Sequence, residues 1–499
     1  MLIRLFRYAL MLCAVLFVLI YLYVALNRLN YPFELECNEG GILNQVERIT
    51  TGQALFVKPT LEFTSFHYTP LYYYFSAAAQ FCGSGFVPLR LVSVLASLLC
   101  FVFIFLIVRH ESSSSFSATI ACGLFAASYP KCGAWFDIAR VDSLYLCFLL
   151  AAVYYLRQSP SIRITILAGV MISLSFLSKQ TAVLIALPVM LHYFLFDRRQ
   201  FFLLTCTTIL MIGSCVLLLN QASNSWFSYY AFEFAATMPM PGQNSMVNSL
   251  LLGFWTKDLR WLYLALLISL FYLFASHSSG NKSRFSFYFL FFMGMIAASW
   301  VSRLNLGGYT NGLFSAYAAI SILFGLGVAE VFHGTQFSSL TNNNLAKQVT
   351  CSLCLVQFGL LIYNPVTLIP TAKDNQAGWE LVETIKWMEG DVFIPHHSYL
   401  AVLAGKSWYL HYSSLLALTG GFGGGFKKEG HQVIGELNDA IRRQRFSAII
   451  LDFDPIKSDP IHATLNQYYS KSYILYENSQ IFLPVTGARS RPTVLFLPQ

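Results

Sequence analysis

The chain has 499 residues, of which 56% are hydrophobic and 11% charged, with a mean hydropathy of +0.56 and a formal net charge of +8. Such a composition excludes an ordinary soluble enzyme and a disordered chain, and it makes this an integral membrane protein. The positive balance is no sign of nucleic-acid binding, because Lys and Arg gather in short breaks between apolar segments, where cytoplasmic loops collect them.

In chain order, apolar segments fall at about 8–26, 69–86, 89–108, 117–134, 142–157, 163–178, 181–196, 200–219, 260–276, 285–301, 312–332 and 348–364. The first follows Arg4 and Arg7. It is long for a signal peptide and lacks a small-residue cleavage site, so it reads as a retained helix with a cytoplasmic N-terminus. Arg157 with Arg163, Asp197 to Arg199, 277–284 and the 333–347 loop read as cytoplasmic. Lys179, the 220–258 loop and Arg303 to Asn311 then face the other side, as does everything after Lys373. That orientation demands an odd number of crossings, whereas twelve segments are visible. Either 69–86, which ends at Cys82–Gly85, or 117–134, broken at Tyr129–Pro130, must be a half-helix shielded by protein.

The 11 cysteines lie nearly all in apolar segments, so no disulfide framework is indicated. Cys351 and Cys354, a C-x-x-C spacing inside a membrane run, read as helix packing. The fold class is therefore an α-helical polytopic membrane protein over 1–372, with a first external loop at 27–68. A small external α/β domain follows over 373–499. In that domain 379–388 and 433–445 have helical spacing, 392–395 and 447–452 read as strands, and 473–482 reads as a hairpin turning at Glu477–Asn478. The glycine run at 419–425 is not a dinucleotide fingerprint and reads as a loop that could close as a lid.

Acidic residues are scarce, so Glu34, Glu36 and Glu39 within six positions at a membrane boundary call for a reason. Glu36 and Glu39 share a face if the segment is helical, and a shielded carboxylate has a raised pKa suited to taking a hydroxyl proton. The plain alternative is a solvated loop with a capping glutamate. His67, Tyr68 and Tyr72 offer stacking rings and hydroxyls suited to carbohydrate, although an interfacial aromatic belt would explain tyrosines equally. Asp137, Arg140 and Asp142 open an apolar helix, where ionisable residues are costly and function is the default reading. Lys179 could hold a lipid phosphate as a point charge or simply reach to headgroups. Arg303, before Gly307–Asn311, and Arg90, after Pro88, are further cations for the same work. Walker A, H-E-x-x-H and G-x-S-x-G patterns are missing, against ATP-driven transport, zinc proteolysis and α/β-hydrolase chemistry.

Six stretches in this order carry a family resemblance: Glu36–Gly40 with Val46–Arg48 and Gly52–Gln53; Tyr68–Tyr73; Pro88–Ser93; Ala139–Asp142; Ser178–Thr181; and, more softly, Gly307–Asn311. Over about 30–330 the chain resembles the polytopic GT-C glycosyltransferases. Its nearest likenesses are the protein O-mannosyltransferases and the lipid A aminoarabinose transferase, the glycosyltransferase family 39 group. The resemblance implies a polyprenyl-phosphate sugar donor reached from the membrane of the bacterial cell envelope. It implies transfer on the periplasmic face of the inner membrane, an acidic general base and inversion. Relatives place Asp–Glu where this chain has Asn38–Glu39, so the base falls to Glu36 and Glu39 as a unit. Asp142 is then the second carboxylate, Arg140, Lys179, Arg90 and Arg303 meet the donor phosphate, and His67, Tyr68, Tyr72 and Asn311 meet sugar or acceptor. The acceptor class (glycolipid, polysaccharide or protein) and a divalent metal, which some relatives use, stay open. The other readings are a flippase for lipid-linked sugars and a noncatalytic assembly protein on the same fold.

Overall fold

The computed structural model describes residues 2–234, 243–304, 308–334, 341–420, 427–455, 459, 461–476 and 480–499. Its first helix, α1 (Leu2–Leu29), is followed by two short ones, α2 (Glu39–Thr50) and α3 (Leu71–Ala78). Then come α4 (Phe86–Ser112), α5 (Ser115–Ala127), α6 (Asp142–Leu156), α7 (Ile162–Ser178), α8 (Val183–Phe196) and α9 (Arg198–Ser223). Later apolar helices cover Tyr263–Ser278, Lys282–Leu304, Phe314–His333 and Asn344–Gly359. Among the described residues 6 helices are long and apolar enough to cross a membrane, and α5 to α8 are apolar but shorter.

The expected segment 69–86 is not a span. α3 has 8 residues, about 12 Å of helix against a hydrocarbon core of about 30 Å. Gly85, in a left-handed conformation (φ 62°) that favours glycine, then redirects the chain into α4. Without α3, eleven apolar helices remain among the described residues.

The helix Phe314–His333 is the axis of this unit, since its apolar window is wholly buried and it is hydrophobic on all sides, as a core helix must be. Small residues bring its neighbours close. A Cβ on Gly325 would lie 2.8 Å from Ala121 of α5, and one on Gly327 would strike the Ile268 carbonyl. Gly123 of α5 is likewise pressed onto Ala14 of α1. Without a hydrophobic drive between helices in lipid, such close backbone approach is what holds them.

Beyond the membrane unit a four-stranded sheet runs in the order β1-β2-β4-β3, with β1 at Asp391–Phe393, β2 at Phe446–Leu451, β3 at Tyr469–Ile474 and β4 at Val494–Pro498. β1 and β2 are parallel, and the other pairs are antiparallel. The helix Lys428–Arg442 covers the sheet with Val433, Leu437, Ala440 and Ile441, a single helical stripe. The helix Ala372–Trp387 faces the other way: its Ala377 and Leu381 join the core of the membrane unit. The expected hairpin at 473–482 is not formed, because β3 pairs with β4. The chain after 480 is drawn instead to the loop between α1 and α2, where Phe482 packs on Phe33 and Thr486 N donates to the Leu35 carbonyl at 3.1 Å. Gly307, the run 421–425 and the turn at Glu477–Asn478 lie outside the described residues.

One ion pair fixes where the chain leaves α1. Arg28, with no exposure, bonds Asp137 at 3.2 Å, the Tyr129 hydroxyl at 2.6 Å and the carbonyls of Ala134 and Leu368. Asp137→Ala strands a buried guanidinium, and a loss on the order of 3–5 kcal/mol is expected. It should be read as a lower melting temperature in detergent. The double variant Arg28→Met/Asp137→Leu should recover most of it; failure to do so would mean that the pair itself, not the stranded charge, carries the stability.

Candidate active site

The acidic loop that links α1 to α2 is shaped by two crossed bonds between carboxylates and backbone. Glu34 Oε1 accepts from Gly40 N at 2.7 Å, and Glu39 Oε2 accepts from Leu35 N at 2.7 Å. The first of these satisfies an N–H at the start of α2 that the helix itself leaves unpaired. Glu39 goes further. It takes the Arg90 guanidinium at 2.7 and 3.1 Å and the Ala139 N–H at 2.6 Å. Arg90 spends its other donors on the carbonyls of Tyr31, Phe33 and Arg28, and both side chains have zero exposure. Four bonds of 2.6 to 3.1 Å, two of them from one buried guanidinium, tie this carboxylate to the fold.

Glu36 sits between these two anchored glutamates. It accepts from Asn38 N at 3.2 Å, Asn38 Nδ2 at 3.0 Å and the Cys37 thiol at 3.2 Å, and it faces Arg140 Nη1 at 3.4 Å. Burial pushes its carboxyl above the usual range, and the Arg140 charge offsets this only in part. Gly487, at φ 73°, lies against it so closely that a Cβ would strike the Glu36 side chain.

Arg140 and Asp142 are delivered by the turn after α5. Arg140 Nη2 donates to the Tyr68 hydroxyl at 3.2 Å, its guanidinium lies 4.9 Å from the Trp135 ring centre, and its Nε has no partner. Asp142 opens α6, where the helix N-terminus favours a carboxylate. Its Oδ1 accepts from Lys179 Nζ at 2.7 Å and Asn311 Nδ2 at 3.1 Å, while Oδ2 has no partner. Lys179 can reach it because α7 stops there in extended backbone (φ −155°, ψ 124°) before α8. His67 is pushed down to about 4 by burial and by the charges of Arg140, Lys179 and Lys427, so it is neutral among cations. The floor of the site (Glu36, Arg140, Asp142, Lys179) is buried, whereas His67, Tyr68 and Asn311 are partly exposed. Exposed Tyr309 stacks on Trp135 with ring centres 5.3 Å apart.

Of the residues singled out in the sequence, Glu36, Arg140, Asp142, Lys179, His67, Tyr68 and Asn311 thus form one cluster. Four others do not face it. Glu39 and Arg90 are locked in each other, and Tyr72 is buried with its hydroxyl on the Leu89 carbonyl at 2.8 Å. Arg303 pairs with Asp258 at 2.8 Å and braces the Gly308 carbonyl at 2.5 Å. For Arg90 and Arg303 the physical reason is the same: their charge is already spent inside the protein.

Sequence reasoning missed the neighbours that the C-terminal unit brings. His397 bonds Glu34 through Nδ1 and Asp452 through Nε2, the latter at 3.0 Å, and Ser413 Oγ bonds Asn38 Oδ1. A signal was present. Strands near 392–395 and 447–452 are legible, and pairing them in parallel puts His396–His397, just after the first, and Asp452, at the end of the second, at one edge. Among the described residues no three His, Cys, Asp or Glu side chains converge on a metal position. Glu36 and Asp142 each pair with a cation, Arg140 and Lys179 respectively.

Residues 67–227, about a third of the chain, match the family model described as dolichyl-phosphate-mannose-protein mannosyltransferase. The fold is similar to that of ArnT from Cupriavidus metallidurans in the apo state, with 12% identity, 97% of each chain covered and a TM-score of 0.61. ArnT bound to undecaprenyl phosphate matches at 11% identity, again over 97% of each chain, with a TM-score of 0.59. An Archaeoglobus fulgidus oligosaccharyltransferase tethered to an acceptor peptide matches at 11% identity over 95% of this chain and 73% of its own, with a TM-score of 0.54. No curated protein sequence matches significantly. The chain has the GT-C membrane fold.

Two measurements check this division of roles. Glu39→Gln leaves Arg90 short of its buried counter-charge, so its melting temperature should fall well below that of Glu36→Gln; the reverse order would exchange the two roles. The second concerns His397, whose pKa rises to about 10 because Asp452 and Glu34 outweigh the effect of burial. A group raised from about 6.5 stabilises fully below that pH and loses its contribution as pH climbs toward 10. Melting temperature should therefore fall between pH 7 and 10 more steeply in wild type than in His397→Gln.

Proposed function

We propose that this chain is a membrane glycosyltransferase which moves a sugar from a polyprenyl-phosphate donor to an acceptor hydroxyl at the external face, with inversion. The observation that carries this reading is the buried cluster in which Arg140 and Lys179 lie with Tyr68, Asp142 and Asn311 beside Glu36, the loop glutamate held by the longest contacts, 3.0 to 3.4 Å. A cluster of that kind suits a phosphate leaving group, and the ArnT structure with bound undecaprenyl phosphate supports a lipid phosphate as the donor's anchor.

The chemistry follows from what each group can do. Glu36 takes the proton of the acceptor hydroxyl as the oxygen attacks the anomeric carbon. The bond from that carbon to the phosphate oxygen breaks, and its electron pair leaves on the lipid phosphate. Arg140 and Lys179 meet the negative charge that grows there. Direct displacement from the face opposite the phosphate inverts the anomeric centre. Asp142 holds Lys179 and Asn311 in place, and Tyr68 and Tyr309 give the sugar a hydroxyl and a ring face. Two further atoms speak for a ligand: Arg140 Nε and Asp142 Oδ2 are buried without partners. Leaving such atoms unsatisfied costs about 1–3 kcal/mol each. Arg90, Glu39 and Tyr72 act as scaffolding in this reading, and Arg303 braces the 308–311 turn. The sheet-bearing unit, residues 373–499, lies on the external side together with the site, in a bacterial inner membrane.

The test is transfer from labelled polyprenyl-phosphate sugars in membranes or nanodiscs. Glu36→Gln should lose about 10²–10⁴-fold in kcat while folding normally, and Lys179→Met should raise KM for the donor. Because the Glu36 carboxyl is raised by burial and works deprotonated, wild-type rate should fall on the acid side with a midpoint above the ordinary carboxylate range. Unimpaired transfer by Glu36→Gln would remove this mechanism.

A further inference from the structure

Glu34, His397 and Asp452 form a buried chain that the transfer chemistry does not use. Both ring nitrogens of His397 face a carboxylate, so both are donors and the ring is an imidazolium. All three side chains are at most 3% exposed. Removing that much charge from water is costly, and apolar residues of similar volume would stabilise the joint as well. What the ionic chain gives in return is a fixed geometry. His397 follows β1 and Asp452 follows β2, at the matched ends of a parallel pair whose register aligns Phe393 with Ile449. Glu34 lies on the acidic loop, and its second oxygen holds the Gly40 N–H at the start of α2.

We propose that His397 is a positioning residue for the acidic loop: bonded to Asp452 on one side and Glu34 on the other, it locks the segment carrying Glu36 against the C-terminal unit. The proposal rests on Glu36 as the general base. Other contacts run in the same direction. Tyr399 Oη accepts from Glu34 N at 3.2 Å, Ser413 bonds Asn38, and Thr486 N bonds the Leu35 carbonyl at 3.1 Å. The loop is thus held at 34, 35 and 38, and Glu36 lies between those points. The other ionisable groups facing the chain are Glu36 from the loop, and His396, Tyr399 and His411 from the C-terminal unit. His396 and His411 are pushed down to about 4 and about 3, by burial first, so neither competes with His397 for the proton.

Cys37, beside Glu36 and largely shielded, reports on the loop directly. Full-length protein in nanodiscs is labelled at pH 7 with a polar maleimide, and the Cys37 peptide is followed by mass spectrometry. Wild type, His397→Gln and the milder Asp452→Asn are compared, with Arg442→Gln at an exposed ion pair as control. Both joint variants should label Cys37 about tenfold faster or more as the loop opens, and the control should not. In transfer assays their kcat should fall on the order of 100-fold, as a misplaced group costs, with KM for the donor held within about twofold, whereas general unfolding would lower the active fraction and leave kcat per active enzyme unchanged. Wild-type labelling rates in both variants would overturn the proposal, as would faster labelling with unchanged kcat. If wild type transfers no sugar at all, the functional reading falls, and the Cys37 rate still decides whether His397 holds the loop.

Discussion

The buried pair between Glu39 and Arg90 is the contact on which the acidic loop and the site beside it depend. Arg90 stands one turn inside α4 and reaches three carbonyls between the end of α1 and the acidic loop, as well as the Glu39 carboxylate at the head of α2. Glu39 in turn holds the Ala139 N–H, which sets the turn leading to Arg140 and Asp142. A single fully buried charge pair therefore registers three separate stretches of chain. Such a pair is tolerated because nearly every donor and acceptor on it is used; a half-satisfied version would cost more than an apolar core. The consequence for chemistry is a sorting of roles. Glu34 and Glu39 build the loop, and Glu36, held by longer contacts, is the one to which the proposed function gives the proton transfer.

The C-terminal unit is part of the same construction. Its helix Ala372–Trp387 and the residues around Val392 and Tyr399 pack into the core of the membrane unit. The segment after 480 covers Glu36, with Gly487 where no side chain would fit. This explains why 480–482 does not return as the second arm of a hairpin: Phe482 gains an aromatic partner in Phe33, and the backbone at 486 finds the loop carbonyl at 35. β3 then finds its ladder in the last strand of the chain. The domain boundary drawn from composition does not fall at a break in packing.

Much of this was legible in the sequence because hydropathy and charge act locally. The long spans and the small α/β unit follow from runs of apolar residues and their breaks. So did the loop and the turn at Arg140–Asp142, since charge at a membrane boundary stands out by itself. Local pattern fails where partners are distant. Whether Glu36 or Glu39 is free depends on Arg90 and Arg140, which lie 51 and 104 residues further on respectively. The role of Glu34 depends on His397, 363 residues away. Tyr72 carries the composition of a sugar-binding ring, yet α3 turns it inward to the Leu89 carbonyl. Arg303 looks like a free external cation until Asp258 is seen beside it.

Charge placement also explains how a site this buried can remain selective. Glu36 and Asp142 each neutralise a cation in the resting protein, Arg140 and Lys179 respectively, so neither positive group is left alone in a low-dielectric floor. The pairs are unequal. Lys179 is a compact contact at 2.7 Å, whereas Arg140 meets Glu36 at 3.4 Å and shares its charge with the Tyr68 hydroxyl and the Trp135 face. In the proposed mechanism, an incoming phosphate competes most easily for Arg140, the looser partner, and in drawing that charge away it leaves Glu36 less neutralised and more basic. On that proposal, binding of the donor and readiness of the base are one electrostatic event, because the same guanidinium serves both. A neutral sugar without its phosphate has no means of producing that change.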